Sequence, residues 1–184
     1  VTSMLANRFG FEIPVKRKVL DDWKELADHV DTLDDAEEVH IAVAGKYTDL
    51  ADSYLSVIKA LQHASFKVNR KLVIDWIESS ALDEETKKSD SDSHNAAWEL
   101  LRSADGILVP GGFGIRGIEG KIKAAEYARE NKIPYLGVCL GLQVATIEFC
   151  RNVLGMEGAN SAEFDEEAAH SAVVFMPEIS KTHM

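Results

Sequence analysis

The sequence predicts an α/β domain built around a mostly parallel β-sheet. From about residue 41, apolar segments of strand length alternate with segments of helical periodicity. Continuous apolar strands are typical of parallel sheets that helices cover on both faces. The chain has 184 residues, of which 46% are hydrophobic and 28% charged, so it can form one such domain and is not wholly disordered.

Four strands and the helices between them follow in order. The predicted strands are Ile41–Ala44, Leu72–Ile77, Gly106–Val109 and Ile133–Val138. A helix with a start signal at Asp49–Ser53 follows the first strand, and helices over about 94–103 and 119–131 flank the third. A last helix places four apolar residues on one side: Leu140, Val144, Ile147 and Leu154. The polar segment 79–93 has no apolar period and is predicted to be a surface loop.

The N-terminal 40 residues differ from the rest in charge. Residues 21–38 carry nine carboxylates and one lysine, which is −8 of the net charge of −11. Apolar residues at spacings of three and four predict an amphipathic helix that packs by one stripe onto a neighbour: Leu20, Trp23, Leu26, Val30 and Leu33. Because charge runs are mostly solvated faces, a linker helix is favoured over an acidic docking tail. Residues 1–18 show no core pattern, so the domain is expected to begin near residue 41.

Composition excludes several classes of function. A net charge of −11 argues against a surface that coats nucleic acid. The two cysteines cannot form a disulfide framework or a four-cysteine zinc site, and no metal site is predicted. No apolar run approaches the roughly 20 residues that span a bilayer, and no signal-peptide pattern is present. A cytoplasmic protein that binds neither membrane nor nucleic acid is expected.

A cysteine framed by two glycines is the strongest chemical signal. In Gly137-Val138-Cys139-Leu140-Gly141 an apolar strand ends at the cysteine and a helix begins at once. This is the G-x-nucleophile-x-G elbow with Cys in place of Ser, and the helix N-terminus directs backbone N–H groups and positive potential toward the sulfur. The alternative is a buried structural thiol. Cys150, in the same helix, lacks the glycine frame and is predicted to be a core residue.

A second glycine-rich turn follows the preceding strand, over 110–120. It contains a formal G-x-G-x-x-G (Gly112, Gly114 and Gly117), but a dinucleotide site needs a carboxylate where the next strand ends in Cys139. An oxyanion hole at Gly111-Gly112 is favoured, because both turns lie at the carboxyl edge of the sheet. At 44–47 a phosphate loop is excluded, because His40 stands where its first glycine should be. Lys46 is therefore predicted to be an exposed loop residue or a contact to another part of the protein.

Five segments together resemble the glutamine amidotransferase domain of the CTP synthase family: Gly45–Asp49, Asp52–Tyr54, Pro110–Lys121, Cys139–Gln143 and Asn160–Phe164. The cysteine elbow and the Gly-Gly turn are shared by class I amidotransferases in general. The stretches 113–121 and 160–164 point to CTP synthases among them. The resemblance implies a flavodoxin-like class I fold over residues 41–184, incomplete at its C-terminus. Residues 1–40 would then be an interdomain linker helix and the end of a preceding synthetase domain.

The resemblance also implies roles for individual residues. Cys139 would be the nucleophile that forms a γ-glutamyl thioester, with the N–H groups of Gly112 and Leu140 holding the oxyanion. L-glutamine would be bound by Gly112, Leu140, Gly141, Leu142, Gln143 and Glu163, with Glu163 at the α-amino group. Arg116 and Glu119 would take part in a response to GTP, the family's activator. An ordinary role as ion partners of the loop is equally compatible with their positions.

The remaining implications concern the whole protein. The ammonia would pass to a synthetase domain that uses ATP and Mg²⁺ to aminate UTP, in a homotetramer, and no cofactor is expected in this chain. The family's catalytic His and Glu lie in a His-Pro-Glu context, whereas none of the six histidines here precedes Pro-Glu: His29, His40, His63, His94, His170 and His183. This polypeptide alone is therefore expected to hydrolyse glutamine slowly or not at all. The alternatives are a non-catalytic assembly or regulatory fragment and a DJ-1-like hydrolase with a cysteine elbow.

Overall fold

The computed structural model of the chain describes residues 2–10, 17–46, 48 and 51–176. Three features named above lie outside these residues. They are Asp49 of the helix start signal, Tyr47 of the first resembling segment, and His183.

Four parallel strands form the central sheet. They are β1 (Glu38–Gly45), β2 (Lys71–Glu78), β3 (Gly106–Val109) and β4 (Tyr135–Gly137), in the order β2-β1-β3-β4. A separate pair of parallel strands, β5 (Ala159–Ser161) and β6 (His170–Val173), follows. The predicted mostly parallel α/β class is confirmed. The strand order changes direction between β1 and β3, and open α/β sheets bind ligands at the carboxyl ends beside such a point.

The helices occupy the connections. The α-helices are α1 (Thr2–Phe9), α2 (Arg17–Asp31), α3 (Leu55–Val68), α4 (Glu84–Ser89), α5 (Ser91–Ser103), α6 (Ile118–Asn131) and α7 (Leu140–Asn152). Short 3₁₀ turns span Leu33–Asp35, Ala51–Tyr54 and Ser79–Leu82.

The hydrophobic core lies between the sheet and α5, α6 and α7. Alternate strand residues such as Ala42 and Val109 pack there against Leu101, Ile122 and Ile147 of the three helices. On the opposite face, Leu61 of α3 lines an apolar groove with residues of β1, β3 and β4. Both faces therefore carry helices, but the cover is uneven. Leu136 of β4 is 56% exposed, so β4 is a half-exposed strand at the sheet edge.

The segment 79–93 is helical, and the prediction of a surface loop is wrong. It contains a 3₁₀ turn, α4 and the first turn of α5. Local hydrogen bonding rather than an apolar stripe supports these turns. The Asp90 side chain accepts a hydrogen bond from the Ser93 N–H at the start of α5, and the Thr86 hydroxyl donates to Ser80 O. Since α4 buries no side chain, hydrophobic periodicity could not reveal it.

The acidic helix is also shorter and less packed than predicted. It ends at Asp31, and a 3₁₀ turn leads into β1 at Glu38. Its apolar stripe is buried only at the C-terminal end, where Leu33 is 6% exposed and His29 Nε2 lies 2.8 Å from Phe66 O of α3. Trp23 and Leu26 are exposed and line an open groove of about 690 Å³ beside α3. Periodicity predicts such a stripe correctly but does not identify what covers it.

Two element boundaries and the burial of one cysteine differ from the prediction. β4 begins at Tyr135 because the α6 C-cap, Lys132 (φ 58°), turns the chain and the Ile133 N–H still bonds Ala128 O. The last helix ends at Asn152, which leaves Leu154 exposed. Cys150 is half-buried rather than a full member of the core.

Candidate active site

The nucleophile candidate lies in a strained turn between β4 and α7, over Gly137–Gly141, here called the elbow. Cys139 has φ 53° and ψ −108°, which an L-residue with a side chain rarely adopts. It caps the helix, since its carbonyl accepts from the N–H groups of Leu142 and Gln143 at 3.0 and 3.1 Å. Its thiol is exposed. A strained, exposed cysteine at a helix N-terminus does not fit the alternative of a buried structural thiol.

The two glycines of the elbow are required by close backbone contacts. A Cβ on Gly137 would lie 2.5 Å from the carbonyl group of Gly141, and a Cβ on Gly141 would collide with Val109 O of β3. The Tyr135 hydroxyl donates to Gly141 O at 2.8 Å and ties the elbow to β4. The G-x-C-x-G spacing therefore encodes how closely α7 approaches the sheet.

The glycine loop, Gly111–Gly117, lies directly beside the cysteine. The Val138 N–H donates to Val109 O at 3.0 Å, so the two turns leave adjacent strands at the same edge. A Cβ on Gly111 would lie 3.3 Å from Cys139 Cβ and 3.9 Å from its Sγ, and one on Gly112 would lie 3.6 Å from Leu140 Cδ2. The structure thus brings together the cysteine and the two residues predicted to form an oxyanion hole.

Charged side chains hold the glycine loop. The Lys46 ammonium donates to the carbonyls of Phe113 and Gly114 at 2.7 and 3.0 Å, so its predicted contact to another part of the protein is observed. Arg116 pairs with Glu78 at the end of β2 at 3.0 Å. Burial, and then the nearby Arg116, lower the pKa of Lys46. The loop itself is open to solvent, with Phe113 88% exposed.

Arg116 and Glu119, the residues proposed for a GTP response, both take part in ion pairs. Arg116 pairs with Glu78, and Glu119 accepts from Arg151 Nη1 at 2.9 and 3.0 Å. These contacts fit the alternative of ordinary loop partners, and any part in regulation stays a prediction.

The residues predicted to bind glutamine are divided between two places. Leu140, Gly141, Leu142 and Gln143 form the first turn of α7, with Leu142 63% exposed and Gln143 half-buried. Glu163 lies in the connection between β5 and β6, where its N–H donates to Ser161 Oγ at 3.2 Å. Within the described ranges, no hydrogen bond or ion pair joins Glu163 to the elbow.

Sequence reasoning missed one functional candidate, Lys121. Its side chain is 1% exposed, and its Nζ lies 3.7 Å from where a Cβ of Gly112 would be. Burial, and then Lys46, lower its pKa to about 8, against the opposite effect of Glu78. The signal was present in the helical period of α6, because Ile118, Lys121, Ile122 and Ala125 share its buried stripe.

The described residues contain neither a metal-binding cluster nor a membrane-spanning helix. Among them, no three His, Cys, Asp or Glu side chains are grouped in a way that could hold a metal ion. No helix in the described part of the chain is long and apolar enough to cross a membrane.

Comparison with known proteins is consistent with this geometry. The family model of glutamine amidotransferase class-I matches residues 49–178. CTP synthase of Eremothecium gossypii is 58% identical over 91% of this chain and 29% of its own length. CTP synthase of Dictyostelium discoideum is 57% identical over 88% of this chain and 29% of its own. The chain therefore spans less than a third of the curated relatives it matches.

A solved structure shares the fold. It is the glutaminase domain of Trypanosoma brucei CTPS with bound acivicin, with a TM-score of 0.66 and 44% identity. The match covers 75% of this chain and 50% of that one. The family model covers well over half of the residues, including the glycine loop and the elbow. The chain belongs to the class I glutamine amidotransferase family.

Proposed function

We propose that this chain is the glutamine-hydrolysing part of a CTP synthase. The observation that carries the proposal is the strained Cys139 elbow directly against Gly111-Gly112, a nucleophile beside free backbone N–H groups. The relatives that match at 57–58% identity are CTP synthases, which favours this member of the family over others.

The proposed chemistry is acyl transfer. The Cys139 thiolate attacks the side-chain amide carbon of L-glutamine, forming a carbon–sulfur bond. The N–H groups of Gly112 and Leu140 stabilise the negative oxygen of the tetrahedral intermediate. The carbon–nitrogen bond then breaks, and a proton joins the leaving nitrogen to release ammonia. Water hydrolyses the γ-glutamyl thioester to glutamate and restores the thiol.

The substrate would lie along the first turn of α7. Gly112, Leu140, Gly141, Leu142 and Gln143 would contact it there, because a helix N-terminus presents backbone N–H groups to a ligand. Glu163 would reach the α-amino group from the connection between β5 and β6, since a carboxylate is the natural partner of an ammonium.

The rest of the proposal concerns the longer protein. Residues 1–40 would form the linker and the end of a synthetase domain, and 41–184 would belong to the amidotransferase domain. Ammonia would pass to the synthetase domain, where ATP and Mg²⁺ activate UTP for amination to CTP. A cytoplasmic homotetramer is the proposed assembly.

GTP would act through the glycine loop. Arg116 anchors that loop to Glu78, and Glu119, at the start of α6 directly after the loop, pairs with Arg151. A ligand that exchanged these ion pairs for its own contacts would move Gly112 relative to Cys139, which gives the activator a route to the chemistry.

Covalent labelling tests the proposed substrate. A glutamine-like diazo-ketone should add once, at Cys139, and L-glutamine should slow the addition while D-glutamine does not. Mass spectrometry locates the adduct, Cys139→Ala is the matched control, and Cys150 is the internal reference thiol. Equal labelling of both cysteines, or no protection by L-glutamine, would contradict the proposal and favour the DJ-1-like hydrolase.

Ammonia release tests the catalytic step. The chain contains no His-Pro-Glu, so it should release ammonia very slowly, because a missing general base costs about 10²–10⁴ in rate. Adding a polypeptide that carries the family's His-Pro-Glu segment should restore turnover. If turnover stayed absent while Cys139 still labelled selectively, a non-catalytic assembly fragment would be the better interpretation.

A further inference from the structure

Lys121 is a buried cation without a partner beside the catalytic edge. Its side chain is 1% exposed. Among the described residues its ammonium makes no hydrogen bond and has no carboxylate within 4 Å. Its nearest functional neighbour is the backbone of Gly112, whose Cβ, if present, would lie 3.7 Å from Nζ. Gly112 is also the residue that would donate an N–H to the oxyanion.

Two further cations lie near Lys121, at or beside the glycine loop. Lys46 reaches the loop from the end of β1, and Arg116 is part of the loop. The carboxylate that acts on Lys121 from this side is Glu78, at the end of β2, which already pairs with Arg116.

The other titratable groups near the start of α6 contact residues other than Lys121. Asp83 lies against Gly120, on the side of α6 that faces the 3₁₀ turn after β2. Glu119 is exposed and paired with Arg151 of α7. Cys139 lies on the far side of the glycine loop, against Gly111.

An unpaired ammonium in this position is costly unless negative charge arrives. Burial of a charge without a partner lowers stability and favours the neutral amine, as the lowered pKa of Lys121 shows. The charge that the proposed chemistry creates here is the oxyanion, which would accept the N–H of Gly112. A fixed cation in a site of low dielectric stabilises such a charge without reorganising.

We infer that Lys121 is a positioning residue for the glycine loop, whose buried ammonium lies beside Gly112 and supplies positive charge there as the tetrahedral intermediate forms. This inference rests on the proposed function. It predicts that reactions at Cys139 which pass through an oxyanion depend on the Lys121 charge, whereas simple alkylation does not.

Comparing two electrophiles on the full chain separates these effects. The first is the γ-(4-nitrophenyl) ester of L-glutamate. Its carbonyl carbon bonds to sulfur, its carbon–oxygen bond breaks, and 4-nitrophenolate departs with the electron pair, so the leaving group needs no proton. The second is iodoacetamide, which has no oxyanion. The rate with the ester divided by the rate with iodoacetamide does not depend on the ionisation of the thiol, which affects both reactions equally. Cys139→Ala gives the background rate of ester breakdown.

The wild-type ratio should fall about fivefold from pH 7 to pH 9, as a group of pKa about 8 loses its proton. Lys121→Met should lower the ratio at pH 7 by about tenfold and remove the pH dependence. Lys121→Arg keeps the charge and should hold the ratio high through pH 9. A purely structural role of Lys121 would slow both electrophiles equally and leave the wild-type ratio independent of pH.

The outcomes distinguish the inference from the proposed function. If the ester does not acylate Cys139 while iodoacetamide alkylates it, the proposed function fails. If the ester acylates Cys139 but the ratio is flat and Lys121→Met matches wild type, the inference fails and the function stands. If circular dichroism shows that Lys121→Met does not fold, the wild-type and Lys121→Arg profiles decide, since a flat wild-type ratio overturns the inference by itself.

Discussion

The elbow and the glycine loop meet at one edge of the sheet but are held in different ways. In the elbow, Gly137 and Gly141 fix the path of the chain because backbone atoms approach more closely than a Cβ allows. In the glycine loop, the main supports are the Lys46 ammonium and the Arg116–Glu78 pair. Steric contacts thus position the nucleophile, whereas charged side chains position the glycine loop.

This difference predicts different sensitivities. Steric contacts between backbone atoms do not respond to pH or salt, whereas ion pairs and charge-assisted hydrogen bonds do. We therefore expect small increases in side-chain size to disrupt the elbow, and changes of charge to disrupt the glycine loop.

The largest effect is expected from Gly141→Ala. The new Cβ would collide with Val109 O, and backbone cannot move aside as a flexible side chain can. We expect a loss of about 3 kcal/mol or more in the free energy of unfolding, measured by urea denaturation. Alanine is the better helix former by about 1 kcal/mol, so the loss must come from the collision. Gly155→Ala is the control, since its φ is 67° but nothing lies within 4 Å, and should cost about 1 kcal/mol. Equal costs would refute the steric account.

An intermediate effect is expected from Lys46→Met. The substitution removes the hydrogen bonds to Phe113 O and Gly114 O and should cost about 1–2 kcal/mol in unfolding free energy. It should also speed chymotryptic cleavage after the exposed Phe113. The control is Lys59→Met, where the lysine donates an exposed hydrogen bond to Gln62 on the surface of α3 and the cost should stay within about 0.5 kcal/mol. An unchanged cleavage rate would show that Lys46 does not restrain the loop.

The smallest effect is expected from Asp83→Asn, next to the start of α6. Burial, and then Glu119, raise the pKa of Asp83 to about 6. The folded-state pKa lies above the unfolded value. The contribution of Asp83 to wild-type stability is therefore fully present below about pH 4 and is lost as pH rises through 6. Asparagine cannot ionise, so the variant should match wild type at pH 3.5. At pH 7 it should be about 1 kcal/mol more stable, after allowance for the solvent exposure of this carboxyl.

Chemical unfolding of both proteins at the two pH values measures this effect. Asp92→Asn, an exposed substitution in α5, is the control and should stay within about 0.5 kcal/mol of wild type at each pH. If Asp83→Asn were less stable at pH 7, the carboxylate would be supporting the start of α6 rather than straining it.

The sequence predicted the elbow well because local rules govern it. A tight strand-to-helix turn needs glycine on each side of the nucleophile, and this need is visible in five consecutive residues. The adjacency of Gly111 and Cys139 followed from parallel topology alone, since consecutive parallel strands end at the same edge. The parallel sheet and its two covered faces likewise follow from the alternation of apolar strands and helices.

Other features depended on contacts that no local pattern encodes. The helix α4 forms through capping and polar contacts without an apolar stripe. The stripe on α2 was visible, but the exposure of Trp23 depends on which surface lies opposite. Lys121 was overlooked because charged residues are rarely fully buried, although its place on the buried stripe of α6 indicated it.

The close packing of Gly141 against Val109 has a consequence for protein engineering. It fixes the elbow, and with it the sulfur, against the neighbouring strand, about 4.8 Å away, independently of the residues exposed on the glycine loop. Exposed positions such as Phe113 and Ile115 can therefore be randomised in a library without moving the sulfur. Selection for new acyl donors can begin at these positions while the elbow is left untouched.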